Sequence, residues 1–139
     1  MIKKILLAVD GSELSARAVD TVCELAAPGS YSIILLNVLD PVSCLINGET
    51  RNEVKKELSD KGMEILNQYK AKLDAAGVAC TLKQTFGVPS AQILFVAHEE
   101  NVDMIAMGCH GKNSLSEIFL GSVSQHVLER FKGPVLLVR

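Results

Sequence analysis

The sequence of 139 residues contains no tryptophan, and only 4% of its residues are aromatic. Proteins that hold single-stranded nucleic acid stack bases on aromatic side chains, so this composition argues against that role. No excess of either charge is present: 14 Lys and Arg stand against 16 Asp and Glu, a net charge of −2. Sequence-independent binding to nucleic acid needs a basic face that displaces counterions, and so balanced a chain does not supply one. No apolar run approaches the roughly 18 residues of a membrane span. Ile5 to Val9, which follows Lys3-Lys4, is ended by Asp10 before reaching the apolar core of about 7–15 residues that a signal peptide requires. Cysteine is sparse and scattered (Cys23, Cys44, Cys80, Cys109), with no Cys-x-x-Cys pair and no Cys/His cluster of zinc type. With 48% hydrophobic residues the chain can bury a core without covalent staples, so reduced thiols in a cytoplasmic protein are expected. The length fits one domain over residues 1–139, well inside the usual size range.

Apolar runs alternate with helical patterns along the chain. Ile5–Val9, bounded by Asp10-Gly11-Ser12, reads as a strand buried on both faces. A helix follows, with Leu14, Ala18, Val22, Leu25 and Ala26 on one stripe and Pro28-Gly29 as its stop. Tyr31–Leu39 reads as a second apolar strand, and Asp40–Gly48 as a loop broken by Pro41, Asn47 and Gly48. The longest helix spans Arg51 to Ala76, its apolar positions being Val54, Leu58, Ile65, Tyr69 and Leu73. Gly62 within it costs about 1 kcal/mol against alanine. Val78–Phe86 is a third strand, and Pro89 opens a helix whose Ile93, Leu94 and Ala97 face inward. Met104–Met107 is a fourth strand, Gly121–Phe131 the last helix, and Val135–Val138 a terminal strand. The alternation predicts an α/β fold: a parallel five-stranded sheet with helices on both faces. Ligands of such sheets bind beyond the carboxyl ends of the strands.

The fourth crossover is the richest segment. Gly108-Cys109-His110-Gly111 follows the strand, and nine residues later Gly121-Ser122-Val123-Ser124 opens a helix. Glycines at a strand end let the backbone approach a ligand. A helix start offers free N–H donors and the positive end of a dipole, here with two hydroxyls. The combination suits a polyanion such as a phosphate chain. His110 is either a phosphate contact or an exposed loop histidine, and Lys112 reads more simply as a solvated lysine. A Walker A loop fails, because Ala106 and Asn113 stand where Gly and Ser or Thr are needed. The dinucleotide fingerprint fails too, since Gly108 and Gly111 follow the fourth strand and lead into a loop. Ser122 and His126 lie one helical turn apart, but no acidic orienter or oxyanion donor set accompanies them. Cys109 reads as a small buried residue, and His98 as a complement to the end of its helix.

The spacing Gly108-x2-Gly111-x9-Gly121-Ser122 resembles the nucleotide motif of the universal stress protein family, in its ATP-binding branch. Lys4-Ile5-Leu6-Leu7-Ala8-Val9-Asp10-Gly11-Ser12 is similar to the family's first strand and turn, and Gly87-x-Pro89 to the lead-in of its third helix. Gly121-Ser122-Val123-Ser124 and Pro134-Val135-Leu136-Leu137-Val138-Arg139 are similar to its closing segment. The likeness is least clear between Asp40 and Lys72, and Phe131-Lys132-Gly133 departs from the family's usual small residues. The resemblance implies a sheet in the order 3-2-1-4-5 with ATP between the first and fourth strands. By position, Ala8, Val9 and Asp10 would line the adenosine side, and Val38 would meet adenine through its backbone. Met107, Gly108 and Gly111 would border ribose and phosphates, while Gly121, Ser122, Val123 and Ser124 would hold the phosphate chain. Asp10 beside a triphosphate needs Mg2+ or Mn2+, or a ribose hydroxyl, to offset repulsion; its other reading is a cap on the first helix. The resemblance also implies a homodimer through the C-terminal strand, whose bare apolar edge invites pairing.

The expected function is an ATP-binding regulatory protein of the stress response, acting as a nucleotide-dependent switch on an unknown protein partner. No arginine finger, water-positioning glutamine or Walker B pair stands near the motif, so at most a slow ATPase is expected. The alternative is a homodimeric interaction protein with a vestigial pocket. A phosphotransfer receiver is excluded, because the third strand ends Thr85-Phe86-Gly87 without an acceptor aspartate and the fifth carries no lysine.

Overall fold

The computed structural model describes residues 1–41, 51–109 and 120–139. Their elements run β1 Lys4–Ala8, α1 Glu13–Leu25, β2 Ser32–Leu39, α2 Arg51–Ala75, β3 Ala79–Phe86, α3 Pro89–Glu99, β4 Met104–Gly108, α4 Ser122–Arg130 and β5 Val135–Val138. The strands form one parallel sheet in the order β3-β2-β1-β4-β5, as expected. Beyond Asp40 and Pro41, the Asp40–Gly48 loop lies outside the described residues, as do His110, Gly111 and Lys112.

Central strands buried on both faces explain the continuous apolar runs. Leu6 and Leu7 are consecutive, both 0% exposed, and point into different cores. One core joins Leu7 and Leu35 to Val19 of α1 and to Leu66 and Leu73 of α2. The other joins Leu6, Leu36 and Ile105 to Val96 of α3 and Val127 of α4. No helix among the described residues is long and apolar enough to cross a membrane. Cys23, Cys80 and Cys109 are free thiols, and burial pushes the Cys80 thiol up to about 11, far from a reactive thiolate.

Three helix faces differ from the sequence reading. On α3 the buried residues are Ile93, Val96 and Ala97, while Leu94 is only half-buried. On α1 the buried stripe runs through Ser15, Ala18, Val19 and Val22 to Ala26, leaving Leu25 exposed. On α2 the seam runs through Val54, the buried Gly62, Leu66, Tyr69 and Leu73, with Leu58 and Ile65 half-buried. Glycine has no side chain to mark a stripe, so Gly62 conceals the fully buried Leu66 one turn on, and Ile65 beside it packs half-buried against the same core. Gly77, at φ +73°, ends α2; the Val78 N–H returns to the Leu73 carbonyl at 2.9 Å, a Schellman closure.

Gly62 is required by a buried polar network that the reading of β2 as uniformly apolar passed over. Asn37, 5% exposed, donates from Nδ2 to the Val9 carbonyl at 3.1 Å. Gln84 Nε2 donates to the Ser59 carbonyl at 3.0 Å and more weakly to Asn37 Oδ1 at 3.4 Å. Ser59 Oγ returns a bond to Gln84 Oε1 at 2.8 Å. The network ties α2 to β3, β2 and the end of β1. A methyl group at position 62 would run into Asn37 Oδ1 and come within 2.5 Å of Gln84 Nε2. Helix propensity alone would have Gly62→Ala stabilise the protein by about 1 kcal/mol. Disrupting buried hydrogen bonds costs roughly 1–3 kcal/mol for each group left unsatisfied. Gly62→Ala is therefore expected to lower stability in urea denaturation by about 1–2 kcal/mol net; a rise would show the network to be dispensable.

Candidate functional site

A crevice of about 180 Å³ opens at the carboxyl ends of β1, β2 and β4. Sheet register builds its floor, because Ala8 of β1 pairs with Leu36 of β2 on one side and Met107 of β4 on the other. All three residues line the crevice, and all belong to the core beneath α3 and α4. β2 continues past the end of β1, so Val38 extends the apolar wall, while Val9 borders the crevice with its side chain in the core on the other face. Pro89 and Ile93, from the first two turns of α3, close that side. The opposite side is polar and comes from two helix starts: Ser12 and Ser15 of α1, and Gly121 to Ser124 of α4.

Ala8, Val9, Asp10, Val38, Met107, Gly108, Gly121, Ser122, Val123 and Ser124, all singled out from the sequence, line this one crevice. His110 and Gly111 lie outside the described residues. Leu36, Ser12, Ser15, Pro89 and Ile93 also line it and were not among the candidates. Their signals were present. Leu36 is two residues before Val38 and therefore on the same strand face, and Ser12 and Ser15 stand three apart at a helix start.

The β1–α1 turn corrects the reading of Asp10 as a helix cap. Ser12 is the N-cap of α1, its Oγ accepting from the Ser15 N–H at 3.2 Å. Asp10 Oδ1 instead accepts from the Ser12 N–H at 2.9 Å and from Ser15 Oγ at 2.8 Å. Ser15 Oγ in turn accepts from the Asp10 N–H at 2.9 Å. Gly11 makes the turn at φ +80°, where any Cβ would stand 2.7 Å from Ile65 Cδ1 of α2. Asp10 also acts at a distance: the Tyr69 hydroxyl is raised above its ordinary pKa, chiefly by burial and secondly by the Asp10 charge.

Gly108 lines the crevice, but ligand approach is not what demands a glycine there. A Cβ would lie 2.8 Å from Leu14 Cβ and 3.1 Å from the Leu14 carbonyl carbon. The missing side chain is what lets α1 sit against β4. The start of α4 likewise differs from a fully open set of donors. Gly121 donates its N–H to the Cys109 carbonyl at 2.9 Å, and Ser124 Oγ donates to the same carbonyl at 3.0 Å. These bonds fasten the helix to the end of β4. Gly121, the N-cap of α4, has no side chain to occupy the first-turn amides of Ser122, Val123 and Ser124, which form the positive end of the helix dipole. His126 Nδ1 donates to the Ser122 carbonyl at 3.0 Å, so its ring is engaged with backbone and is no base for the Ser122 hydroxyl. Cys109 is buried, as expected.

Electrostatically, the two helix starts are unequal. The positive end of α1 already carries the Asp10 carboxylate, which offsets it. The end of α4 carries no acidic residue in its first turn. An anionic group entering the crevice is therefore drawn to α4 and kept from α1. Among the described residues no group of three or more His, Cys, Asp or Glu side chains is arranged to hold a metal ion. Among the described residues, Asp10 is the single carboxylate lining the crevice. A hard divalent cation can be held by one carboxylate with phosphates and water, so the residues fit a cation brought by a phosphate ligand.

Comparison with known proteins agrees with this architecture. The model of the universal stress protein family matches residues 1–139. Universal stress protein MJ0577 of Methanocaldococcus jannaschii is 32% identical over 155 aligned residues, which span 100% of this chain and 96% of that protein. Universal stress protein YxiE of Bacillus subtilis is 36% identical over 152 residues, covering 100% of both. The MJ0577 structure superposes with a TM-score of 0.91 at 35% identity, over 99% of this chain and 96% of that one. A universal stress protein in complex with cAMP superposes at 0.75 with 26% identity, over 99% and 97%. The chain belongs to the universal stress protein family.

Proposed function

We propose that the crevice binds an adenine nucleotide, ATP in the first place, and that the protein is a nucleotide-dependent switch of the stress response. The observation that carries this reading is the pairing, within one crevice, of the first-turn amides of α4 with an aliphatic slot formed by Ala8, Val38 and Met107. Phosphate oxygens match the amides and the dipole. A flat, weakly polar base matches the slot, with its hydrogen-bonding edge toward the backbone of Val38. Asp10, at the α1 side, meets a ribose hydroxyl as acceptor, since the phosphates are held at the other helix. The complex of a 26% identical relative with cAMP supports the choice of adenine. Mg2+ or Mn2+ would travel with the phosphates, held by their oxygens and by water.

Binding rather than turnover is the favoured role. The described lining contributes no Lys, Arg or Gln, the residue types that stabilise a transferring phosphoryl group or orient water. We propose a homodimer through β5, supported by that strand's place at the sheet edge with four half-buried apolar residues, Val135 to Val138. The test of the nucleotide reading uses the missing tryptophan: the protein absorbs feebly at 280 nm, so a bound nucleotide dominates its ultraviolet spectrum. Denatured protein is expected to release an adenine nucleotide with a 260 nm band. Nucleotide-free protein given Mg2+ and ATP at a hundred times Kd is expected to gain about 2.7 kcal/mol, a rise in Tm of roughly 8 °C. No released nucleotide and no Tm shift at millimolar ATP would overturn the reading in favour of an interaction protein with a vestigial pocket.

A further inference from the structure

Ser15 has no place among the nucleotide contacts proposed above, yet it is 4% exposed, lines the crevice and spends its hydroxyl wholly on Asp10. As donor it reaches Asp10 Oδ1 at 2.8 Å, and as acceptor it takes the Asp10 N–H at 2.9 Å. With the Ser12 N–H at 2.9 Å, two donors converge on one carboxylate oxygen, and the residue's own amide is held by the same hydroxyl. A carboxylate on an exposed turn otherwise samples several rotamers. Here its plane is fixed relative to β1 and the first turn of α1. The α1 cap is independent of this hydroxyl, because it uses the Ser15 backbone N–H with Ser12 Oγ.

We propose that Ser15 is a positioning residue for ribose recognition: it holds the Asp10 carboxylate in the orientation that accepts a hydrogen bond from a ribose hydroxyl, and so makes the site prefer ribonucleotides to deoxynucleotides. The inference rests on the nucleotide reading and specifies how one end of that site discriminates. A hydrogen bond to a charged group accounts for about a tenfold to hundredfold change in affinity, lost when its acceptor is misplaced.

The test is calorimetric titration of nucleotide-free protein with ATP, 2′-deoxyATP and 3′-deoxyATP, for the wild type, Ser15→Ala and Ser15→Thr. The wild type is expected to prefer ATP over at least one deoxy analogue by about tenfold or more. Ser15→Ala is expected to lose ATP affinity by about that factor while keeping its affinity for the disfavoured analogue, so that discrimination disappears. Ser15→Thr, which restores the hydroxyl, is expected to restore the discrimination. A Ser15→Ala protein that keeps the wild-type preference overturns the proposal, and so does an equal loss for all three nucleotides, the signature of a merely structural role. Should Ser15→Ala fail to fold, a Ser15→Thr protein or a wild type that binds ATP and both analogues alike still overturns it. A wild type that binds none of the three brings down the nucleotide reading itself.

Discussion

Gly121→Val is expected to lose ATP affinity by roughly a hundredfold or more, while the free protein's Tm changes by no more than a few degrees. Gly121 stands at φ −63° and ψ 157°, extended backbone that valine adopts without strain. Its two backbone bonds, N–H to the Cys109 carbonyl and carbonyl to the Gln125 N–H at 3.0 Å, are independent of side chain. Valine is a poorer N-cap than glycine, which costs the helix about 1 kcal/mol at most. The ligand has far less tolerance. Phosphate oxygens must come within about 2.7–3.0 Å of the amides of Ser122 to Ser124, and Gly121 lines the crevice beside them. A branched side chain at that position competes for the same space. Calorimetry with ATP and a thermal melt separate the two effects, and unchanged affinity would move the phosphate site elsewhere.

Gly108→Ala is expected to damage both properties. The added methyl lies 2.8 Å from Leu14 Cβ and within 3.1–3.2 Å of the Leu14 carbonyl carbon and oxygen. Backbone cannot step aside as a side-chain end can, so α1 has to shift away from β4. Overpacking of this kind costs about 1–3 kcal/mol, or a Tm lowered by roughly 3–10 °C. The same shift carries Ser12, Ser15 and the Asp10 turn away from the crevice, so ATP affinity falls as well. Urea denaturation and calorimetry on one preparation check the pairing. Loss of affinity without loss of stability would mean that Gly108 serves the ligand directly and that its fit against Leu14 is incidental.

These variants also mark where the sequence was readable. Strand runs such as Ile5–Val9 and Met104–Met107 were legible because burial on both faces leaves no alternation to confuse. The helix starts at Pro89 and Gly121 carried their own punctuation, and the order of strands followed from the resemblance of four segments. The site candidates gathered in one crevice because strand ends and helix starts are where a parallel sheet keeps its ligands. What escaped depended on contacts distant in sequence. Asn37 and Gln84 are 47 residues apart, and neither announces the other. On α2 the fully buried Leu66 escaped notice beside Ile65, because Gly62, one turn earlier on the same seam, has no side chain to register. The reason for Gly108 lies in Leu14, ninety-odd residues away in the chain, and the hydroxyl of Ser124 was assigned to a ligand when it fastens α4 to Cys109. Ser15 was overlooked as a binding residue because a serine in a first helical turn ordinarily signals only a helix start.

The most direct measurement is the backbone amide chemical shifts of the protein during an ATP titration. Amides of Ser122, Val123 and Ser124 are expected to move most, as donors to phosphate, with Val38 and the Asp10–Ser15 turn moving alongside them and the outer face of α2 unaffected. Shifts that leave Ser122 to Ser124 in place while ATP binds would contradict the account, because the start of α4 would then not hold the phosphates.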